Sequence, residues 1–307
     1  MRNAFADEMT NLAKTDPRLV LLSGDIGNKL FDRFKEVDAA RFYNCGVAEA
    51  NMMGVASGMA LCGLRPFVYT ITPFTTTRCF EQIRVDVCYH HVPVVIVGTG
   101  SGLSYAELGP THHSLEDMAI LRTLPGMRVL APCDVTELRL ALRAVLEDDS
   151  PAYIRIGKKG EPAVHTETPP FRIGEAIVVR KGSDVALLCA GNMMSDTLVA
   201  ADKLAEMGIS AEVVSFHTVK PLDSNYLQDA ASRFRLLATV EEHSRIGGFG
   251  SAVGEWCVAN NKMVPKISFG TDDAFMHEVG SQQYARNKFG LTSGKIADRV
   301  HAALSGV

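Results

Sequence analysis

Between Arg18 and Gly157 the chain keeps returning to one kind of segment: a short run of Val, Ile, Leu and aromatic residues with almost no polar interruption. The runs are "RLVLLSG" (18–24), "RFYNC" (41–45), "PFVYTI" (66–71), "PVVIVGT" (93–99), "MRVLAP" (127–132) and "PAYIRIG" (151–157). Longer stretches with helical spacing lie between them, such as "TTRCFEQIRVDVCYH" (76–90) and "VTELRLALRAVLEDD" (135–149). Runs this apolar have no face to give to water. They predict a mostly parallel sheet covered by helices on both sides. The pattern breaks at "KKGEPAVHTETPP" (158–170), which is polar, contains Pro162, Pro169 and Pro170, and has no apolar period. It then resumes in a smaller unit, with "DVALLCAG", "SAEVVSF", "LLATVEE" and "PKISFG" as strands and "SDTLVAADKLAEMG" as an amphipathic helix closed by Gly208. The expected architecture is α/β: two doubly wound, mostly parallel-sheet domains over 1–160 and 171–307, joined by a linker at 161–170.

The 307 residues, 47% hydrophobic and 21% charged, suffice for two such cores. The formal charge of −4, with no basic block or stripe, argues against a nucleic-acid partner. Apolar runs are broken by Gly, Pro or charge well short of a membrane span. The first residues, "MRNAFADEMTNLAK", carry acids and lack an apolar signal core, so they read as a helix of a cytoplasmic protein. Seven cysteines, an odd number with no CxxC pair, read as reduced thiols, neither a disulfide framework nor a zinc site.

Three stretches carry residues suited to chemistry. In "FYNCGVAEANMMGVASGMALCGLRPF" (42–67) Glu49 is the one charge before Arg65. A helix beginning near Val47 with so little polar surface is expected to be buried, and to carry Glu49 inward. A buried carboxylate without a partner tends to hold its proton, since desolvation penalises the charged form; the plainer reading is a first-turn Glu favoured by the helix dipole. Gly54 and Gly58, four apart, permit close approach of another backbone. In "GTGSGLSYAELGPTHHSLEDMAILRTLPGM" (98–127) a strand runs into a long loop with His112 and His113, and a helix is expected to open at Ser114 with Glu116 and Asp117 in its first turn. Such loops are where α/β proteins place ligands, although from this stretch alone a capped helix with two solvent histidines is the favoured reading. In "ATVEEHSRIGGFGSAVGEW" (238–256) glycines separate a strand from a helix, but Gly248-x-Gly250-x-x-x-Gly254 does not fit the dinucleotide fingerprint, and helix packing is the better account.

Taken together, "GVAEANMMGVASGMALCGLRPF", "FTTTRCFEQIR", "GPTHHSLEDMAILRTLPGM" and "EEHSRIGGFGSAVGE", in this order and spacing, resemble the pyrimidine-binding and C-terminal domains of transketolase over essentially the whole chain. The resemblance implies thiamine diphosphate as cofactor. It places Glu49 at the carboxyl group that contacts the aminopyrimidine ring, where an acid against the far ring nitrogen favours the imino tautomer and a raised carboxyl pKa is useful. It implies that Phe74 stacks on the pyrimidine, that Asp25 in "LLSGDIG" lies near the cofactor, and that His112 faces the reacting end of the substrate. Arg2, 23 residues before Asp25, matches a phosphate-binding arginine, and Lys158 lies near another; both also read as surface charges.

Two departures from the family pattern matter. Transketolases hold the diphosphate and Mg²⁺ on a longer N-terminal domain through a "GDG…N" segment, which "SGDIGN" does not match. The resemblance therefore implies half an active site: the C-terminal subunit of a split transketolase, with a second polypeptide carrying the metal and diphosphate, and a second copy of this chain in an α2β2 heterotetramer. The family's "E-D-G-P-T-H" also reads "E-L-G-P-T-H" here, so Leu108 replaces an acid that reads a sugar hydroxyl. A lost partner costs about 1–3 kcal/mol, which points away from the usual sugar phosphates toward a deoxy or otherwise atypical sugar. Competing readings are the β subunit of a 2-oxoacid dehydrogenase decarboxylase, a relative of 1-deoxyxylulose-5-phosphate synthase, and a non-catalytic scaffold subunit.

Overall fold

The computed structural model describes residues 1–27 and 29–306. Strands β1 (Leu19–Ser23), β2 (Phe42–Asn44), β3 (Arg65–Ile71), β4 (Val95–Thr99), β5 (Arg128–Leu130) and β6 (Ala152–Ile156) fall on the six runs read from the first half. β7 (Ile177–Arg180), β8 (Val185–Ala190), β9 (Ala211–Ser215), β10 (Thr218–Lys220), β11 (Leu236–Ser244) and β12 (Lys266–Thr271) follow. The first sheet has the order β10-β5-β6-β4-β3-β1-β2 and the second β12-β11-β8-β9-β7. Every pairing is parallel except at one edge of each sheet, where β10 runs antiparallel to β5 and β7 antiparallel to β9. Neither of these two strands is expected from the sequence. They have three and four residues, and edge pairing asks for no continuous apolar run. β10 comes from the second half of the chain yet completes the first sheet.

The central strands β1, β4, β6, β8 and β9 are buried at every residue, as two-sided helical cover requires. One apolar cluster runs through both units, from Val20, Met52, Ile96 and Met118 to Leu188, Phe216, Phe249 and Val253. A second packs the helix Arg2–Ala13 and the helix Val135–Ala144 against the other face of the first sheet. The 158–170 stretch has no regular structure. It is nonetheless tied down: Asp134 accepts from the backbone N–H of Val164 (2.9 Å) and His165 (3.1 Å), and Phe171 stacks on His217 with ring centroids 3.9 Å apart.

Because β1, β2, β3, β4 and β6 are mutually parallel, their C-terminal ends lie along one edge. Asp25, Glu49, Phe74, the loop from Gly100, and Lys158 all follow those ends, so sequence-distant candidates share one rim.

Candidate active site

Glu49 is the first residue of the helix Glu49–Leu61, whose N-cap, Ala48, offers no side-chain cap. The helix dipole favours a carboxylate there, and the side chain is 4% exposed. It is not without a partner, contrary to the sequence reading. Arg78 donates to Glu49 Oε2 at 3.1 Å, and the same guanidinium lies 4.3 Å from the centroid of the Phe74 ring. The helix is also less enclosed than its composition implied. Met52, Met53, Ala56 and Ala60 face the core, while Val55, Gly58 and Leu61 face outward.

Phe74 sits in the single turn Thr72–Thr75 directly after β3. Thr72 Oγ1 donates to the Thr99 carbonyl (3.0 Å), and the Thr75 and Thr76 hydroxyls both donate to the Thr72 carbonyl. This buried threonine ladder fixes the turn between β3 and β4. The Phe74 ring meets His112 edge-on at 5.4 Å; His112 also meets Tyr105 at 5.9 Å. Lys158 Nζ lies 4.4 Å over the Tyr105 ring and pairs with Glu107. Glu49, Arg78, Phe74, His112, Tyr105, Lys158 and Glu107 thus form one run of contacts along the rim. Leu108 stands beside it, 49% exposed. Asp25 is exposed in a left-handed conformation (φ 52°) and accepts from Asn44 Nδ2 at 3.1 Å across the ends of β1 and β2. Arg2 lies within electrostatic reach of the Tyr69 hydroxyl, and its Nε is buried without a hydrogen-bond partner.

The helix expected at Ser114 begins at Asp117 and runs to Arg122. Ser114 instead pairs with Gly102 through two backbone bonds of 2.9 and 3.1 Å, which pinches the base of the loop 102–114. His113 is buried, and that burial depresses its pKa; only His112 looks toward the rim. The glycine stretch 247–254 is occupied by the protein itself. Glu241 accepts from the N–H groups of Phe249 and Gly250, both at 2.7 Å, and so caps the helix Phe249–Ala259 from within. A Cβ at Gly250 would stand 2.6 Å from Thr239 Oγ1, so close packing explains that glycine.

The family model of the transketolase pyrimidine-binding domain matches residues 1–161, and that of the transketolase C-terminal domain matches residues 174–296. The chain belongs to the transketolase family. A 6-deoxy-6-sulfo-D-fructose transketolase subunit, SqwH, from Clostridium sp. (strain MSTE9) is 38% identical over 98% of this chain and 93% of its own length. An apulose-4-phosphate transketolase subunit from Phocaeicola vulgatus is 34% identical over 92% of this chain and 91% of its own length. Among solved structures, a split-gene transketolase described as an inactive beta4 tetramer superposes with a TM-score of 0.89 at 34% identity, covering 99% of this chain and 97% of that one. These two relatives are themselves named as transketolase subunits, and this chain spans 91% or more of the length of each.

Thiamine diphosphate fits this rim in part. A buried carboxyl group and an aromatic face 4.3 Å from the guanidinium that bridges them offer one edge contact and one stacking surface for a flat nitrogen heterocycle. Among the described residues the one grouping of three potential metal ligands is Cys133, Glu137 and His165 at the linker. There Glu137 is engaged by the Cys133 N–H (2.8 Å) and by His165 (2.9 Å). The sequence reading missed the residues that fasten the rim from behind. Asp117 is fully buried, accepting from Tyr153 Oη (2.5 Å) and Arg155 Nε (2.8 Å). His243, beside it, is pushed down to about 4 by burial. Glu242 reaches from β11 into the loop itself. The signal was present in "TVEEHS": three titratable side chains in a strand otherwise read as core must each have a buried partner.

Proposed function

We propose that the chain is the pyrimidine-holding half of a split transketolase, which moves a two-carbon ketol unit from a ketose donor to an aldehyde acceptor. A partner polypeptide would hold the diphosphate and Mg²⁺, and two copies of each chain would form an α2β2 assembly with sites where the chains meet. The observation that carries this reading is the Glu49 carboxyl group, buried at a helix start and linked to Phe74 through Arg78. When bound, thiamine diphosphate supplies the electron sink on which a carbon–carbon bond of the donor breaks. Glu49 holds a proton against the ring nitrogen of the aminopyrimidine, Phe74 offers its face to that ring, and Asp25 borders the cofactor. Arg78 spans the place the ring would take, so it must swing aside, and its 48% exposure leaves it free to do so. His112 faces the reacting end of the substrate. Leu108 lies toward the sugar, with Arg2 and Lys158 toward its anionic end. Leu108 and the sugars named for the relatives, 6-deoxy-6-sulfo-D-fructose and apulose 4-phosphate, both favour an atypical sugar. The seven cysteines are all free, which suits a cytoplasmic enzyme, and no described helix is long and apolar enough to cross a membrane.

Calorimetric titration with thiamine diphosphate and Mg²⁺ tests the division of labour. The isolated chain is expected to give no measurable heat, because the cofactor's charged handle has no receptor on it. The mixture with the diphosphate-binding partner is expected to bind. Tight binding by this chain alone would refute the split site.

A further inference from the structure

The loop that carries Tyr105, Leu108 and His112 belongs to the first domain, but it rests on the second. Glu242, on β11, is fully buried. Its Oε1 accepts from the backbone N–H of Leu103 at 2.8 Å, across 139 residues of sequence. Gln282 Nε2 reaches the same carboxylate at 2.9 and 3.1 Å and the Ser104 hydroxyl at 3.4 Å. Arg286 donates to Glu242 from its Nε and to Asp196 from NH1 at 2.9 Å, and Asn192 Nδ2 lies 3.4 Å from Glu242 Oε1. The loop is fitted to this carboxylate at close range. Gly102 has φ +63°, and a Cβ there would stand 2.5 Å from Glu242 Oε1 and 2.6 Å from the Glu242 carbonyl. Immediately beyond, Leu103, Ala106 and Leu115 from the loop close over Met276 and Ala285 from the C-terminal segment, forming an apolar cluster of their own.

From this arrangement we infer that Glu242, held by Arg286, is a positioning residue for the transfer reaction: the second domain fixes the substrate loop, and through it His112, against the cofactor rim. This inference rests on the reading of His112 and its loop as substrate-facing. The alternative is that the cluster only glues two domains together. Two features argue for the positioning role. A bond to a backbone N–H constrains the path of the loop whatever its side chains are. The clamp also grips at 102–104, just inside the Gly102–Ser114 pinch, so whatever moves Glu242 moves the base of the loop that ends at His112. A shift of about 1 Å in a substrate-positioning group costs on the order of a hundredfold in rate.

The test is a double-mutant cycle of Glu242→Gln and His112→Ala in the assembled two-subunit enzyme, reading kcat, KM and thiamine diphosphate affinity. Glu242→Gln is expected to lower kcat/KM for the ketose donor by roughly tenfold to a hundredfold. Cofactor Kd should stay within about twofold, because Glu49 and Phe74 are held by other elements. In the His112→Ala background the same substitution should cost far less, since both changes remove one contribution. Additive losses with a strongly impaired His112→Ala enzyme, or a matching loss of cofactor affinity, would overturn the clamp and leave the substrate loop standing. An unimpaired His112→Ala enzyme would overturn the loop assignment, and the clamp with it. If Glu242→Gln fails to assemble, Gln282→Leu, which leaves the Glu242–Arg286 ion pair intact, is put through the same cycle with the same two outcomes.

Discussion

At the scale of single residues, Glu49 and Leu108 make the sharpest claims. The Glu49 carboxyl group has one described hydrogen-bonding partner, Arg78, which is itself half exposed. Glu49→Gln keeps the shape and a hydrogen bond but has no acidic proton to share with a ring nitrogen. The variant is expected to assemble normally and to lose most of its turnover, as general acid–base groups typically contribute 10²–10⁴-fold. Near-normal steady-state rates in Glu49→Gln would reduce the carboxylate to a helix-terminal charge. Leu108 sits at the rim with no polar atom to pair with a hydroxyl. Leu108→Asp is expected to raise kcat/KM for hydroxylated sugar phosphates relative to deoxygenated ones by about one to two tenfold steps. Specificity constants measured for both substrate types in both enzymes decide it. An unchanged ratio would mean that Leu108 does not read the sugar.

At the scale of elements, the linker is held by a titratable contact whose pH dependence has a definite sign. His165 on the linker meets Glu137 of the helix Val135–Ala144 at 2.9 Å, and that bond raises the His165 pKa above its ordinary value. Asp134 and Cys133 also face it, and His217 lies close enough to lower the Glu137 pKa. A histidine whose folded-state pKa is raised contributes stability that is full below about pH 6.5 and is lost as pH rises through the folded value. Burial lowers the His217 pKa, which works in the opposite direction; that burial is common to the protein and to a His165→Gln variant, and the lesser lowering that His165 itself exerts on His217 is lost in the variant. The difference in Tm between the two is therefore expected to be widest near pH 6 and to narrow toward about pH 9. A difference that stays constant, or that widens with pH, would show that His165 acts only as a neutral hydrogen bond. The same element shows where sequence reading reached and where it stopped. The six apolar runs of the first half and four of the second became strands; most are buried on both faces, whereas β2, at the edge of its sheet, is half-buried to exposed and is held by its pairing with β1. β7 and β10, which are short antiparallel edges, carry no such run. The helix after the loop opens three residues later than its sequence suggests, since Ser114 looks like a cap in sequence but is taken by Gly102 in space. Glu49, Phe74 and His112 were named through the family resemblance, and the structure brings them to one rim. Arg78, Asp117, Glu242 and Arg286 were not, because what makes them matter is a partner 29 to 139 residues away.

At the scale of the whole molecule, the helix Glu49–Leu61 leaves a stripe uncovered. Val47, just before it, is 77% exposed, Val55 40% and Leu61 64%. Gly58 lies in this stripe, and a Cβ placed there would meet nothing within 4 Å. The stripe is continuous with the site, because Glu49 heads the same helix. This uncovered stripe is the face on which the proposed assembly sets the second copy of this chain, and that would put each Glu49 near the boundary between copies. Gly58→Arg separates folding from assembly. Inside a single chain the new side chain has open space, and a glycine replaced in a helix interior gains up to about 1 kcal/mol of helix propensity. The isolated variant is therefore expected to show an unchanged circular dichroism spectrum and an undiminished Tm at low concentration. Between two copies, a long charged side chain would enter a small-residue contact and be desolvated there. Sedimentation is expected to show the variant as a monomer where the parent chain self-associates, and the mixture with the diphosphate-binding partner should lose cofactor binding with it. If the variant sediments as the parent does and supports full turnover, the copies meet elsewhere, and the placing of Glu49 at their boundary fails.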